Sequence, residues 1–200
     1  LGGPVPDLAG SDETDSSWVF DFDGDGRREQ LLFGTLRIRR IDDGALLWQD
    51  NTTGKTFSSA LSQVADFLPD SSGLEVVAFT AHMGTGEGRG YMFSFHGGIS
   101  NGRLAWSTPN LGDMYSPEVV AGDFNNDGKM EICLAPHYKI QVLDAATGFT
   151  RYVATWDVGR NYGHFAAADV DGDGIRDFVV ISDFATHLSV IKNAGSSASL

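Results

Sequence analysis

Three nine-residue stretches of this chain share one pattern: DFDGDGRRE at 21–29, DFNNDGKME at 123–131 and DVDGDGIRD at 169–177. In each, an oxygen-bearing side chain stands at positions one, three and five, glycine at six, and a carboxylate at nine. Two such charges about 4 Å apart repel by on the order of 4 kcal/mol at an effective dielectric near 20. The clusters therefore call for a cation. A loop that turns alternate side chains inward, adds the carbonyl of position seven and closes with a carboxylate offers only oxygen ligands. Ca²⁺ accepts such a set, with about 6–8 ligands at roughly 2.3–2.6 Å, whereas Mg²⁺ demands a stricter octahedron and keeps its waters. Three Ca²⁺ sites are expected. The first takes Asp21, Asp23, Asp25, the Arg27 carbonyl and Glu29. The second takes Asp123, Asn125, Asp127, the Lys129 carbonyl and Glu131. The third takes Asp169, Asp171, Asp173, the Ile175 carbonyl and Asp177. Gly26, Gly128 and Gly174 are the residues free to make the sharp turn in each loop.

The loops differ from EF-hands, which close with a bidentate Glu at position 12 between two helices. Position 12 here is Leu32, Leu134 or Val180, and the loops run into QLLFG, ICLA and FVVIS, short runs of β-formers. Strands are expected on both sides, so that each ion would staple a hairpin.

Aligned on these loops, the chain repeats a longer unit: strand, acidic loop, strand, alternating strand, tight turn, and a fourth strand often ending in Trp. In the first unit these are SWVF, LLFG, TLRIRRI and ALLWQ; in the third they are EVVAG, EICLA, HYKIQVL and FTRYVATW. Leu36 and Ile38 alternate with Arg37 and Arg39, as a half-buried strand requires. The second unit keeps Asp66 and Asp70, but Leu68 replaces a ligand and one additional residue moves Glu75 out of register. No ion is expected there. The fourth unit ends in NAGSSASL without a fourth strand. The expected division is a linker at 1–17, units at about 18–59, 60–117, 118–163 and 164–192, and a tail at 193–200.

Unit starts lie about 45 to 57 residues apart, the spacing of four-stranded propeller blades. Over about residues 17–192 the chain resembles the FG-GAP or VCBS repeats of integrin alpha-chain propellers and of secreted microbial proteins. The resemblance rests on the three calcium loops and on LLFG after the first. It implies an all-β fold, a β-propeller of four-stranded antiparallel blades. About seven blades are usual for such repeats and some four are present, so the chain reads as part of a propeller or as a small four-bladed one.

The net charge of −13 looks repulsive until the metal is counted. Eleven carboxylates lie in the three loops, and three Ca²⁺ ions would bring the charge to about −7. The remaining negative charge argues against nucleic acid or an anionic membrane as partner, and no run reaches the ~18 apolar residues of a membrane span. The single cysteine, Cys133, lies in an expected strand and reads as a small buried hydrophobe. Bracing by calcium rather than by disulfides, at affinities near 10⁻⁴–10⁻³ M, suits an extracellular module. Asn51 in NTT matches a glycan-acceptor triplet.

Calcium loops and the turns joining strands three and four share one end of such a blade. Recognition is expected at the other end, in 81–90 and the links between units. His82, His137 and His187 all follow a second strand and are candidate ligand residues, with Tyr115, Tyr138 and Tyr162 nearby. No Gly-x-Ser-x-Gly elbow and no His-Glu-x-x-His helix occurs. The function expected is a non-enzymatic, extracellular module for adhesion or for carbohydrate or protein recognition. Two alternatives remain: a structural subunit completed by neighbouring chains through open blade edges, and a segment of a calcium-dependent polysaccharide lyase, since rhamnogalacturonan lyases look similar.

Overall fold

Short runs of branched and aromatic residues joined by tight turns pair first with their sequence neighbours, because a tight turn brings only adjacent strands together antiparallel. The computed structural model of the chain describes residues 17–57, 61–68, 73–80, 88–112, 114, 119–136, 139–155, 161–182 and 187–193; at 154, 161–165, 182 and 187 it describes the backbone alone. Within these residues the fold is all-β, in four antiparallel sheets whose strands follow chain order. The first sheet holds β1 (Ser17–Phe20), β2 (Glu29–Leu32), β3 (Arg37–Arg40) and β4 (Leu46–Gln49). The second holds β5 (Ser62–Ala65), β6 (Glu75–Phe79), β7 (Gly90–Ser94) and β8 (Arg103–Ser107), with a 3-10 turn at Ile99–Asn101 between the last two. The third holds β9 (Val119–Gly122), β10 (Glu131–Leu134), β11 (Lys139–Asp144) and β12 (Thr150–Thr155). The fourth has three strands among the described residues: β13 (Asn161–Ala168), β14 (Asp177–Ser182) and β15 (His187–Ile191). No described helix is long and apolar enough to cross a membrane.

Each acidic loop joins the first strand of a sheet to the second, and the residue that closes the loop opens the second strand. Phe20 thus pairs with Glu29, Gly122 with Glu131 and Ala168 with Asp177. The second sheet follows the same rule, because Ala65 pairs with Glu75. The additional residue in this loop is absorbed between the strands, so Glu75 stays in register, contrary to the expectation from spacing.

Alternation gives every sheet two faces, and each sheet packs on the next. Trp18, Leu31, Ile38 and Trp48 of the first meet Val64, Val76, Phe93 and Leu104 of the second. Val77, Met92 and Trp106 of the second meet Ala121, Ile132 and Leu143 of the third. Val120, Cys133, Val142 and Tyr152 of the third meet Ala167, Phe178 and Ile191 of the fourth. Cys133 is fully buried, which pushes its thiol well up and leaves it a packing residue.

A repeated latch fixes these contacts. The Trp48 indole N–H donates to the Gly102 carbonyl (2.9 Å) in the β7–β8 turn, and the Trp106 N–H donates to the Ala145 carbonyl (3.0 Å) in the β11–β12 turn. Both turns carry a glycine against the indole. A Cβ at Gly102 would lie 2.5 Å from Trp48, and one at Gly148 2.6 Å from Trp106. Each indole sits opposite a residue just before a register shift, at Ile38/Arg39 and Met92/Phe93, and Tyr152 holds the same place at Val142/Leu143. A bulge there turns the ring toward the following sheet.

Candidate metal centres

The three acidic loops share one hydrogen-bond pattern. The side chain at position one accepts the N–H of the position-six glycine: Asp21 from Gly26 at 3.0 Å, Asp123 from Gly128 at 2.9 Å, Asp169 from Gly174 at 2.9 Å. Position three accepts from position five, as in Asp23 from Asp25 (3.3 Å), Asn125 from Asp127 (3.0 Å) and Asp171 from Asp173 (3.3 Å). Position five in turn accepts from position seven, where Arg27, Lys129 and Ile175 donate to Asp25, Asp127 and Asp173 at 2.8, 2.9 and 2.8 Å. These are local Asx turns, which is why Asp and Asn hold these positions. Two residues per loop are left-handed, not one: Gly26, Gly128 and Gly174 at position six, and Gly24, Asn126 and Gly172 at position four. The second position escaped the sequence pattern because it needs only a conformation. Asn126, at φ 57°, meets that need without being glycine.

The closing carboxylates are the buried members of the set. Glu29 and Glu131 each take a backbone N–H on Oε2, from Phe22 and Phe124, both at 3.0 Å. Asp177 takes the Val170 N–H on Oδ2 (3.2 Å) and the Asn193 N–H on Oδ1 (2.9 Å). Burial raises the Glu29 carboxyl above its ordinary range, and Asp23, Asp25 and Asp21 raise it further against the Phe22 hydrogen bond. Glu131 is pushed up to about 7, chiefly by burial and then by Asp127 and Asp123, with the Phe124 N–H and Arg151 acting in the opposite direction. Its Oε1 is buried without a hydrogen-bond partner.

Among the described residues, Asp21, Asp23 and Glu29 bring one oxygen each within 4.8 Å of one another, as do Asp169, Asp171 and Asp177. Two exposed carboxylates and one buried one converge in each group. Asp25 and Asp173, the third expected donor of each loop, are not part of the convergence. In the middle loop the amide Asn125 replaces a carboxylate, and Asp127 lies 3.8 Å from the Arg151 guanidinium. In the last loop Lys192 pairs with Asp171, a hydrogen bond that holds the Asp171 carboxyl below its ordinary range. The last two loops are also tied to each other, since the Asn126 side chain donates to the Gly174 carbonyl at 2.9 Å.

No protein-family model matches the chain, and no curated protein matches it in sequence. Among solved structures, that of the V. cholerae biofilm matrix protein Bap1 is similar, at 12% identity and a TM-score of 0.42, over 84% of this chain and 60% of that one. The chain therefore spans less than two thirds of that structure's length.

The second unit retains more of the site than its sequence suggested. Glu75 is fully buried and accepts the N–H groups of Phe67 (2.9 Å) and Leu68 (3.2 Å) on Oε2, the role of Glu29 and Glu131 in their loops. Asp66 is exposed at position one, and Asp70 lies outside the described residues. Between the first and second loops a cleft of about 490 Å³ is lined by Asp23, Asp66, Phe22, Leu74 and Phe95. It opens on the loop end, whereas sequence reasoning looked to the opposite end for recognition. His82 and His137 lie outside the described residues, and His187 opens β15 opposite Ser182 rather than lying in the link before it. Tyr115 and Tyr138 also fall outside the described residues, and Tyr162 lies on β13.

Proposed function

We propose that the chain is a calcium-stabilised array of propeller blades of the FG-GAP or VCBS kind, working outside the cell as a non-enzymatic module that recognises a protein or glycan. The observation that carries the metal is Glu131: a fully buried carboxylate, one oxygen tied to Phe124 N–H and the other without a partner, beside Asp123 and Asp127. A buried acid in that position is costly unless a cation accepts its free oxygen. The hard oxygens of all three loops suit Ca²⁺, and the residues present fit it.

Support for a radial arrangement comes from the way the sheets meet. Each packs face to face on the next in chain order, and the first strands of the second and third lie together, with Gln63 Nε2 donating to the Val119 carbonyl at 2.8 Å. Support for work outside the cell comes from the one buried cysteine and from three loops that would replace disulfide bracing with calcium. The cleft beside Asp23 is the place where a calcium-ordered loop would meet a ligand. Melting the full chain in chelator, in Ca²⁺ and in Mg²⁺ tests the reading. A bound ion stabilises the folded state by mass action, so Ca²⁺ should raise Tm well above both other conditions. Equal Tm in chelator and Ca²⁺ refutes it.

A further inference from the structure

The acidic loops of the third and fourth sheets are hydrogen-bonded into one unit. Position four of each loop is left-handed, and it is glycine in two of the three loops, Gly24 and Gly172. In the loop at 123–131 it is Asn126, the one non-glycine residue with positive φ among those described. A residue with a Cβ is disfavoured there, and glycine is not. What Asn126 adds over glycine is an amide: its Nδ2 donates to the carbonyl of Gly174, position six of the next loop, at 2.9 Å. The side chain that bears the unfavourable conformation is thus the one that reaches the neighbouring loop.

A second connection runs through the interior. Glu131 accepts the Phe124 N–H at 3.0 Å, and the carbonyl of the same Phe124 accepts from Asn193 Nδ2 at 2.7 Å. Asn193 in turn donates its backbone N–H to Oδ1 of Asp177, the closing carboxylate of the last loop, at 2.9 Å. Glu131, Phe124, Asn193 and Asp177 are all buried, so water does not compete for these bonds. The Phe124 ring also meets that of Phe178, the residue after Asp177, at 5.4 Å. The place that Asn193 fills opposite position eight is taken in the first and third sheets by Ile41 and Ala145, whose side chains donate nothing; their N–H groups bond the Arg28 and Met130 carbonyls. The loop at 21–29 has no such tie among the described residues. Its hydrogen bonds stay within the loop and its own sheet.

We infer that Ca²⁺ binds the loops at 123–131 and 169–177 cooperatively, an ion in either raising the affinity of the other, while the loop at 21–29 binds alone. This rests on the calcium reading of the loops and on the buried, unpartnered Oε1 of Glu131 that supports it. An ion taken up by Oε1 fixes Glu131 and, through the Phe124 peptide and Asn193, holds Asp177 in place for the second ion. Ordering common to both loops then accompanies the first ion, and the second binds more tightly. Repulsion between the two ions works in the opposite direction, but replacing Asn126 or Asn193 by a neutral residue leaves every charge as it was. Calorimetric titration of full-length Glu29→Gln with Ca²⁺ tests the inference, because this variant keeps only the two linked loops. Two ions should bind with a Hill coefficient above 1, the second roughly 10-fold more tightly than the first. Asn126→Gly, which keeps the backbone conformation, and Asn193→Ala should each lower the coefficient and together bring it to 1 or below. Two ions that bind with a coefficient of 1 or below before the asparagines are changed overturn the inference and leave the calcium reading standing. Cooperativity that survives Asn126→Gly and the double change does the same. No saturable binding at all refutes the calcium reading, and the inference with it.

Discussion

Glu131→Gln isolates the charge that the third unit's loop gathers, and its effect should reverse with calcium. In metal-free protein the buried Glu131 carboxyl is raised from its ordinary 4.5 to about 7, with burial the largest cause. A folded-state pKa above the unfolded one means that the stabilising contribution is complete below the unfolded value and is lost as pH climbs through the folded value. The whole rise corresponds to roughly 3 kcal/mol, most of which falls between pH 5 and pH 8. For a chain of this size each kcal/mol moves Tm by about 2–4 °C. In chelator, then, wild-type Tm should fall about 5–10 °C further than that of Glu131→Gln over this pH range. With Ca²⁺ the ionised carboxylate becomes a ligand, so calcium should stabilise the wild type more than the variant. Thermal melts at a series of pH values, in chelator and in Ca²⁺, measure both effects. Parallel pH curves for the two proteins in chelator would refute the buried, uncompensated charge. Equal stabilisation by Ca²⁺ would refute its role as ligand.

Three further outcomes follow from the same contacts. Trp106→Phe should cost about 1 kcal/mol in urea unfolding through loss of the bond to the Ala145 carbonyl, and Trp106→Ala about 3 kcal/mol or more through the cavity between sheets. Gly172→Ala should cost about 1–2 kcal/mol, because at φ 79° the space is open but the conformation is unfavourable; Gly148→Ala should cost more, since its Cβ would also strike Trp106. Burial would raise the Asp144 carboxyl, but hydrogen bonds from Arg151 and Thr147 prevail and hold it below the ordinary range. Its contribution is therefore present above the unfolded value and lost as pH falls through the folded one. Asp144→Asn should destabilise by about 1–3 kcal/mol at neutral pH, and the difference from wild type should vanish in acid melts.

The hairpins around the three acidic loops were legible because their signals are local. Ligand spacing, a turn glycine and alternation over four to six residues suffice to place β1, β2, β9, β10 and β14 on either side of a loop. What joins one unit to another was not legible. The Trp48 and Trp106 latches pair residues 54 and 39 positions apart, and no local pattern says which carbonyl an indole will find. Glu75 misled for a related reason. Counting residues treats a loop as rigid, whereas the closing acid is set by strand register and by the Phe67 N–H, and the loop absorbs the addition. His187 was assigned to a link whose length the sequence leaves open.

The number of calcium ions bound per folded chain tests the central claim most directly. Equilibrium dialysis against ⁴⁵Ca²⁺ should show saturable binding of three ions by the wild type and of two by Glu131→Gln, with the lost site that of residues 123–131. Absence of saturable binding to the folded protein, or the same stoichiometry in both, would contradict the account.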